Sequence, residues 1–350
     1  MIAPRAPLTV KLFRDLWRLR AQSLAIALVI AAGVGMVVMS FGLIRSLEAT
    51  RAAYYDQYRF ADIFAPVRRA PETAMREVAA LPGVATAESR ISAAAVLDIA
   101  GIAEPVAARV HSLPPDGQPA LNRIVLRSGR LPDPARPEEV VASEAFATAA
   151  RLAPGDRFDA LLYGKQVELR LVGTALSPEY VYAVAPGQIF PDNRRYGILW
   201  MGREALAAAL DLTEAFNEVV VRLSPGARGE ETIRRLDILL APYGGTGAYG
   251  RDQQISDRFL SSEIDQLGTT VEILPPIFLA VAAFLLNIVL GRLVDTEREV
   301  IGLSKAFGYR NGAIMRHYAQ LALRLSAGGL LLGAGLGIWL GRAAAGLYQH

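Results

Sequence analysis

Leu24 to Ile44 reads LAIALVIAAGVGMVVMSFGLI, 21 positions without a charge. As an α-helix this run is about 31 Å long, which matches the hydrocarbon core of a bilayer. Two more apolar runs come late in the chain, Ile273 to Gly291 and Leu325 to Gly341, with 19 and 17 residues. Between the first and second runs the pattern changes to the short alternations and helical periods of an ordinary folded domain. The expected fold class is a membrane protein with α-helical transmembrane spans and a large α+β domain on helical stalks. Its expected segments are 1–23 amphipathic, 24–44 first span, 45–270 domain, 271–294 second span, 295–318 hairpin, 319–341 third span and 342–350 end.

Within the domain, Ala61 to Ala65 reads as a strand, Pro71 to Leu81 as a helix opened by proline, and Ala85 to Ile99 as one or two strands. A similar order returns with Asn217 to Leu223 as a strand, Ser224-Pro225-Gly226 as a turn and Glu230 to Leu240 as a helix. This echo suggests two related halves meeting in space. The part from about Leu126 to Tyr182 reads as a strand-rich insertion between them, with a turn at Ala153 to Asp156 separating Val140 to Ala150 from the alternating Val167 to Val172. At the domain's ends, Ile44 to Phe60 contains no Gly or Pro, and Ile255, Phe259, Leu260, Ile264 and Leu267 keep helical spacing. Both ends read as stiff stalks, which transmit a displacement that a Gly/Ser linker would absorb.

Charge orients this layout. Arg5, Lys11, Arg14, Arg18 and Arg20 precede the first run with one acid, Asp15, which puts the N-terminus in the cytoplasm and the domain outside. Leu12, Phe13, Leu16, Trp17 and Leu19 alternate with those bases as in a helix lying in the membrane interface. The apolar run is too long for a signal-peptide core and is expected to stay as an anchor. Arg292, Arg298, Lys305, Arg310 and Arg316 follow the second span on the cytoplasmic side. In the third run Gly329, Gly333, Gly337 and Gly341 recur every four residues, a bare helix face against which another helix can pack closely.

With 52% hydrophobic and 20% charged residues, composition excludes both a soluble enzyme and a wholly embedded transporter. A net charge of +3 is too small and scattered for a nucleic-acid surface. There are no cysteines, and three histidines at 111, 317 and 350 cannot assemble a metal site by local spacing. Gly245 to Gly250 satisfies G-x-G-x-x-G, yet it follows a helix rather than a strand and reads as a turn between domain and stalk. P-loop, nucleophile-elbow and zinc-protease motifs do not occur, and Glu138, Glu139 and Asp192 read as solvated loop acids. No catalytic residue, cofactor or metal is expected, and the chain reads as non-catalytic.

The informative stretch is Asp295 to Tyr318, DTEREVIGLSKAFGYRNGAIMRHY. Val300, Ile301, Leu303, Phe307, Ile314 and Met315 stand among charged residues, with Gly308 and Gly312 expected to break the run into two short helices. Such a hairpin cannot bury its apolar face within itself, so it lies on the membrane or docks a partner.

At these residues the chain resembles the FtsX-like permeases of the MacB/LolE type, the mechanotransmission (type VII) ABC transporters, over their N-terminal half. Their loop after the second span carries a pattern close to R-E-I-G-L-L-K-A-L-G. Ile301-Gly302-Leu303-Ser304-Lys305-Ala306-Phe307-Gly308 fits it, with Glu299 one position earlier than the family's acid and Val300 in its place. The resemblance implies a domain like the MacB periplasmic core domain. It implies that Glu299, Ile301, Gly302, Leu303, Lys305, Ala306, Phe307 and Gly308 couple the chain to a separate ABC ATPase. It also implies a bacterial inner-membrane location, a periplasmic adaptor protein, membrane lipid, a second permease half or homodimer mate, and a lipid-linked, amphiphilic, peptide or drug cargo. Permeases of this type have at least one more span, so His350 reads as a truncation point. Two rival readings stand beside this one: a regulator of cell-wall hydrolases on the same fold, and, from a different class, a transmembrane sensor with an outer ligand-binding domain, against which the third span counts.

Overall fold

The computed structural model describes residues 20–347, so most of the amphipathic stretch expected at 1–23 lies outside the described residues. The chain divides into two units, Met1–Thr50 with Glu263–His350, and Arg51–Ser262. The first described element, α1 (Arg20–Gln57), is 38 residues long and runs without a break from the apolar run into the expected stalk.

The unit Arg51–Ser262 is α+β. It opens with β1 (Ile63–Pro71), a short 3-10 turn, α2 (Met75–Ala80) and β2 (Val84–Arg90). After an insertion come β10 (Ala215–Leu223), α5 (Gly229–Leu240) and the two-residue β11 (Tyr249–Gly250), so the strand–helix echo is real. The four strands lie in the order β11-β1-β10-β2, all antiparallel, with Ile63 opposite both Val221 and Gly250, and Glu218 opposite Arg90. This is the split strand–helix–strand arrangement of ferredoxin-like folds. Val78, Phe216, Val219, Val221, Leu236 and Leu240 form its buried core, where the apolar sides of α2 and α5 meet the sheet.

The insertion is larger than the sequence suggested. It comprises β3 (Ser92–Asp98), β4 (Val106–Leu113), β5 (Val125–Gly129), β6 (Glu139–Ser143), α3 (Glu144–Ala150), β7 (Arg157–Leu162), β8 (Lys165–Leu176), β9 (Tyr196–Gly202) and α4 (Arg203–Leu210). Only the buried Ile91 separates β2 from β3, although they belong to different sheets, so no turn residue marks the boundary. The stretch Val140 to Ala150 is half strand and half helix, because Ala-rich Glu144–Ala150 favours helix once β6 has ended. The seven strands run β5-β8-β6-β9-β4-β3-β7, and β7 pairs back onto β8, so the sheet closes on itself. Leu97, Val110, Val140, Leu162, Leu169 and Leu171 fill its interior.

In the other unit, α6 (Ile255–Thr296) begins within the domain and is 42 residues long, with Pro275 and Pro276 inside it. It is followed by α7 (Arg298–Ala306) and α8 (Asn311–Leu347). Among the described residues three helices are long and apolar enough to cross a membrane, and they contain the three apolar runs. The hairpin differs from expectation in its second arm. Gly308 does end a short helix, but Gly312 sits in the first turn of a 37-residue helix. A glycine costs a helix about 1 kcal/mol, too little to stop one that a long apolar run propagates. Ile26, Ile30 and Ala282 are buried where α1 meets α6, and Leu293, Leu321 and Leu325 where α6 meets α8.

Candidate functional site

The hairpin is fixed at its root by a buried acid. Glu297 lies between α6 and α7, accepts a hydrogen bond from the Tyr318 hydroxyl at 2.9 Å, and receives the Ile301 N–H on its carbonyl at 2.9 Å. The His317 ring, also buried, meets Tyr318 edge to face. In α7 itself Glu299 occupies the first turn and Lys305 the last, complementing the helix dipole. The helix ends where Phe307 and Gly308 donate back to Leu303 and Lys305, and Gly308 takes a φ of +89°, open to glycine without strain.

Val300 and Leu303 of α7 and Phe307 at its C-terminal cap stand on one side, with 45, 60 and 77% of their surface exposed. Spacings of three and four residues place them in a single stripe. Glu299, Gly302, Lys305, Ala306 and Gly308 are exposed around it, while Ile301 is half-buried. The structure thus brings the expected coupling residues from Glu299 to Ala306 onto one short helix, with Phe307 and Gly308 just past its C-terminal end, and separates Ile301 from the exposed stripe. Val300, which stands where the family's acid does, belongs to the stripe.

Behind the hairpin the glycine ladder of α8 lies against α1. A Cβ placed on Gly329 would come within 2.8 Å of the Ala27 carbonyl oxygen. On Gly333 it would lie 2.6 Å from that of Ala31, and on Gly337 2.6 Å from that of Gly35. Gly341, at 3.7 Å from Met39, is where the seam loosens. The facing residues on α1, Ala27, Ala31, Gly35 and Met39, also recur every four positions. That second ladder was present in the sequence but hidden among many small residues.

In the unit Arg51–Ser262, the end of α1 and the start of α6 are held together. The Tyr55 hydroxyl donates to Asp257 at 2.8 Å and Arg51 donates to Ser261 Oγ at 2.8 Å. Burial, and then the bond to Asp257, push the Tyr55 phenol well up from its ordinary value, so it stays a donor at any physiological pH. Arg251 lies over the rings of Tyr55 and Phe60 at 5.3 and 5.0 Å and donates to the Phe60 and Ala61 carbonyls. Above this clamp, Arg90 of β2 binds Glu179 through two nitrogens at 2.6 Å and Glu218 of β10 through Nε at 2.8 Å, all three buried. Glu179 belongs to the insertion, so this cluster ties the two sheets of the domain together.

Two other sequence readings are settled here. Gly245 to Gly250 is a loop ending in edge strand β11, with Gly247 at a φ of +103°. Glu139 is not a solvated acid: it is fully buried and held by Arg130 through two hydrogen bonds of 2.5 and 2.6 Å. Asp192 is half-buried and accepts from the N–H groups of Arg194 and Arg195.

Residues 273–350 match the family described as FtsX-like permease C-terminal. The resemblance drawn from Ile301 to Gly308 is borne out over that segment. No curated protein matches the chain. Among solved structures it is similar to the extracellular domain of the noncanonic ABC-type transporter YknZ from Gram-positive bacteria, at 10% identity and a TM-score of 0.35, covering 54% of this chain and 98% of that one. It is also similar to the periplasmic region of MacB from Actinobacillus actinomycetemcomitans, at 9% identity and a TM-score of 0.34, covering 64% and 98%.

Proposed function

With an FtsX-like C-terminal segment in residues 273–350, we propose that this chain is the permease subunit of an ABC transporter and relays the motion of a separate ATPase to an extracytoplasmic domain. The observation that carries the reading is the stripe Val300, Leu303 and Phe307, an apolar face on a short helix inside the matched segment. Closure of the ATPase displaces α7. The α1–α8 seam keeps the helices from sliding independently, and α1 and α6 pass the displacement on. The cargo is lipid-linked, amphiphilic, peptidic or drug-like, handled with an adaptor protein, and the chain itself performs no chemistry.

The test is a charge placed in the docking stripe. Leu303→Asp or Phe307→Asp should abolish transport-linked stimulation of the partner ATPase, because a carboxylate in a desolvated contact costs several kcal/mol unless paired. Both residues are exposed, so insertion and folding should be unaffected. Full stimulation in both variants would reduce the hairpin to a membrane-interface flank.

Orientation is part of the proposal, resting on the basic residues beside each apolar run. The chain lacks cysteine, so single introduced thiols report cleanly. Asp116→Cys should react with a membrane-impermeant reagent in intact cells and Asn311→Cys should not; the reverse pattern would invert the topology.

A further inference from the structure

The helix that carries the exposed stripe hangs between two unlike joints. Only Glu297 separates α6 from α7; its N–H donates to the Leu293 carbonyl at 3.0 Å, and its own carbonyl accepts from the Ile301 N–H at 2.9 Å. Helical bonding therefore continues across this joint. The bend falls on one residue, whose φ of −97° and ψ of 15° leave the helical range. At the other end the chain turns through Phe307, Gly308, Tyr309 and Arg310, all exposed, and a Cβ on Gly308 would meet nothing within 4 Å. That turn is a loose connection, and the first joint is a stiff one.

A side-chain bond spans the two arms. Tyr318, about two turns into α8, donates to Glu297 Oε2 at 2.9 Å across 21 positions of the chain. Glu297 is 6% exposed, and the Tyr318 ring packs beside Leu293, Leu321 and Leu325, with the buried His317 edge to face. Opening this bond would leave a buried carboxyl short of a donor, so it holds closed. Further along the same helix, Gly329, Gly333 and Gly337 lie against α1. The bond thus stands where α7 can act on α8, and α8 on α1, without using the glycine turn.

We infer that Glu297 and Tyr318 form the latch through which α7 moves α8, with Glu297 as a positioning residue for the docking stripe. The inference rests on the ATPase-coupled reading above. With the latch closed, α7, the end of α6 and the start of α8 move as one piece, and a push on the stripe reaches α1 through the glycine seam. With it open, α7 pivots at Glu297 and Gly308, and the pivot takes up the push.

The experiment uses the full chain in phosphatidylcholine nanodiscs with nitroxide labels on Lys305→Cys and Gln320→Cys, both exposed and the only thiols in a chain without cysteine. The distance distribution between the labels, read by double electron–electron resonance, should be narrow in the parent. It should broaden in Tyr318→Phe, which keeps the ring and loses the hydroxyl, and stay narrow in Glu297→Gln, which keeps an acceptor. In an export assay with the partner ATPase, unlabelled Tyr318→Phe should lower export per ATP hydrolysed at least about fivefold. The half-saturating ATPase concentration should not change, because the stripe is intact, and Glu297→Gln should keep both values. An equally narrow distribution in Tyr318→Phe, full export per ATP in that variant, or the same loss in Glu297→Gln would overturn the latch. The label measurement needs no ATPase and so separates the two ideas. Full stimulation in Leu303→Asp and Phe307→Asp removes the ATPase reading, whereas an unbroadened distribution removes the latch alone.

Discussion

His111 is buried beside two guanidinium groups, and its imidazole is held neutral by burial first and by Arg90 and Arg109 second. Its folded-state pKa lies below the unfolded value of about 6.5, so between the two the unfolded chain binds the extra proton. Stability is therefore full above about pH 6.5 and falls as the pH drops below it, by at most about 1.4 kcal/mol per pH unit for one proton. Thermal unfolding followed near pH 7.5 and near pH 5.5 should show this loss, and His111→Gln should flatten the profile over that interval. Glu139 acts in a lower window. Hydrogen bonds from Arg130 bring its carboxyl down to about 2, so its contribution is lost only as the pH falls below the ordinary carboxylate range. An unchanged slope in His111→Gln would assign the acid sensitivity elsewhere. None of this was legible in the sequence. Arg90, Glu179 and Glu218 are far apart in the chain, and only the pairing of β2 with β10 and the return of the insertion bring them together.

Helices and strands were more legible than the contacts between them. The three apolar runs, the two strand–helix echoes and the short helix around Ile301 to Ala306 all follow from spacing, because period and breakers are local properties. The extent of the insertion did not follow, since a chain that changes sheets across a single residue leaves no turn to find. The glycine ladder on α8 was visible, whereas its mate on α1 was not, because alanine and glycine are common throughout that run. The contact of the two ladders is closer than any side chain allows, with oxygen of α1 within 2.8 Å of where three Cβ atoms would stand. Gly333→Leu with Gly337→Leu should therefore push α1 and α8 apart while leaving both apolar enough to insert. Gly341 and Met39 lie at the loose end of the seam, and cysteines placed there should crosslink in the parent chain and at least about tenfold more slowly in the double variant. Undiminished crosslinking would mean that the seam adjusts to bulk.

For the whole molecule the question is whether the domain is driven or merely tethered. α1 is helical from Arg20 to Gln57 with no glycine after Gly42, and its end is bonded to α6 through Tyr55 and Asp257. A Gly-Gly-Ser-Gly insertion after Glu48 should leave the domain folded, because its core begins beyond the insertion point. It should nevertheless uncouple hydrolysis from export, since a flexible joint transmits neither push nor torque. Basal ATPase retained with export lost supports the relay; both retained would leave a passive receptor on a tether.

The order of strands in the small sheet also fixes when that sheet can exist. β1 and β2 are made early, but they do not pair with each other; each is hydrogen-bonded to β10, with Ile63 opposite Val221 and Arg90 opposite Glu218. Until β10 emerges from the ribosome, both early strands are open edges, and an open edge invites pairing with another chain. The closed sheet between them needs none of β1, β2 or β10 and can form first, whereas the part of the domain that carries the clamp waits for contacts between the two ends of the domain, Arg51 with Ser261 and Tyr55 with Asp257. Synthesis therefore finishes this domain from the insertion back toward the membrane helices. A nascent chain arrested before β10 exposes two partnerless strands on an already folded insertion.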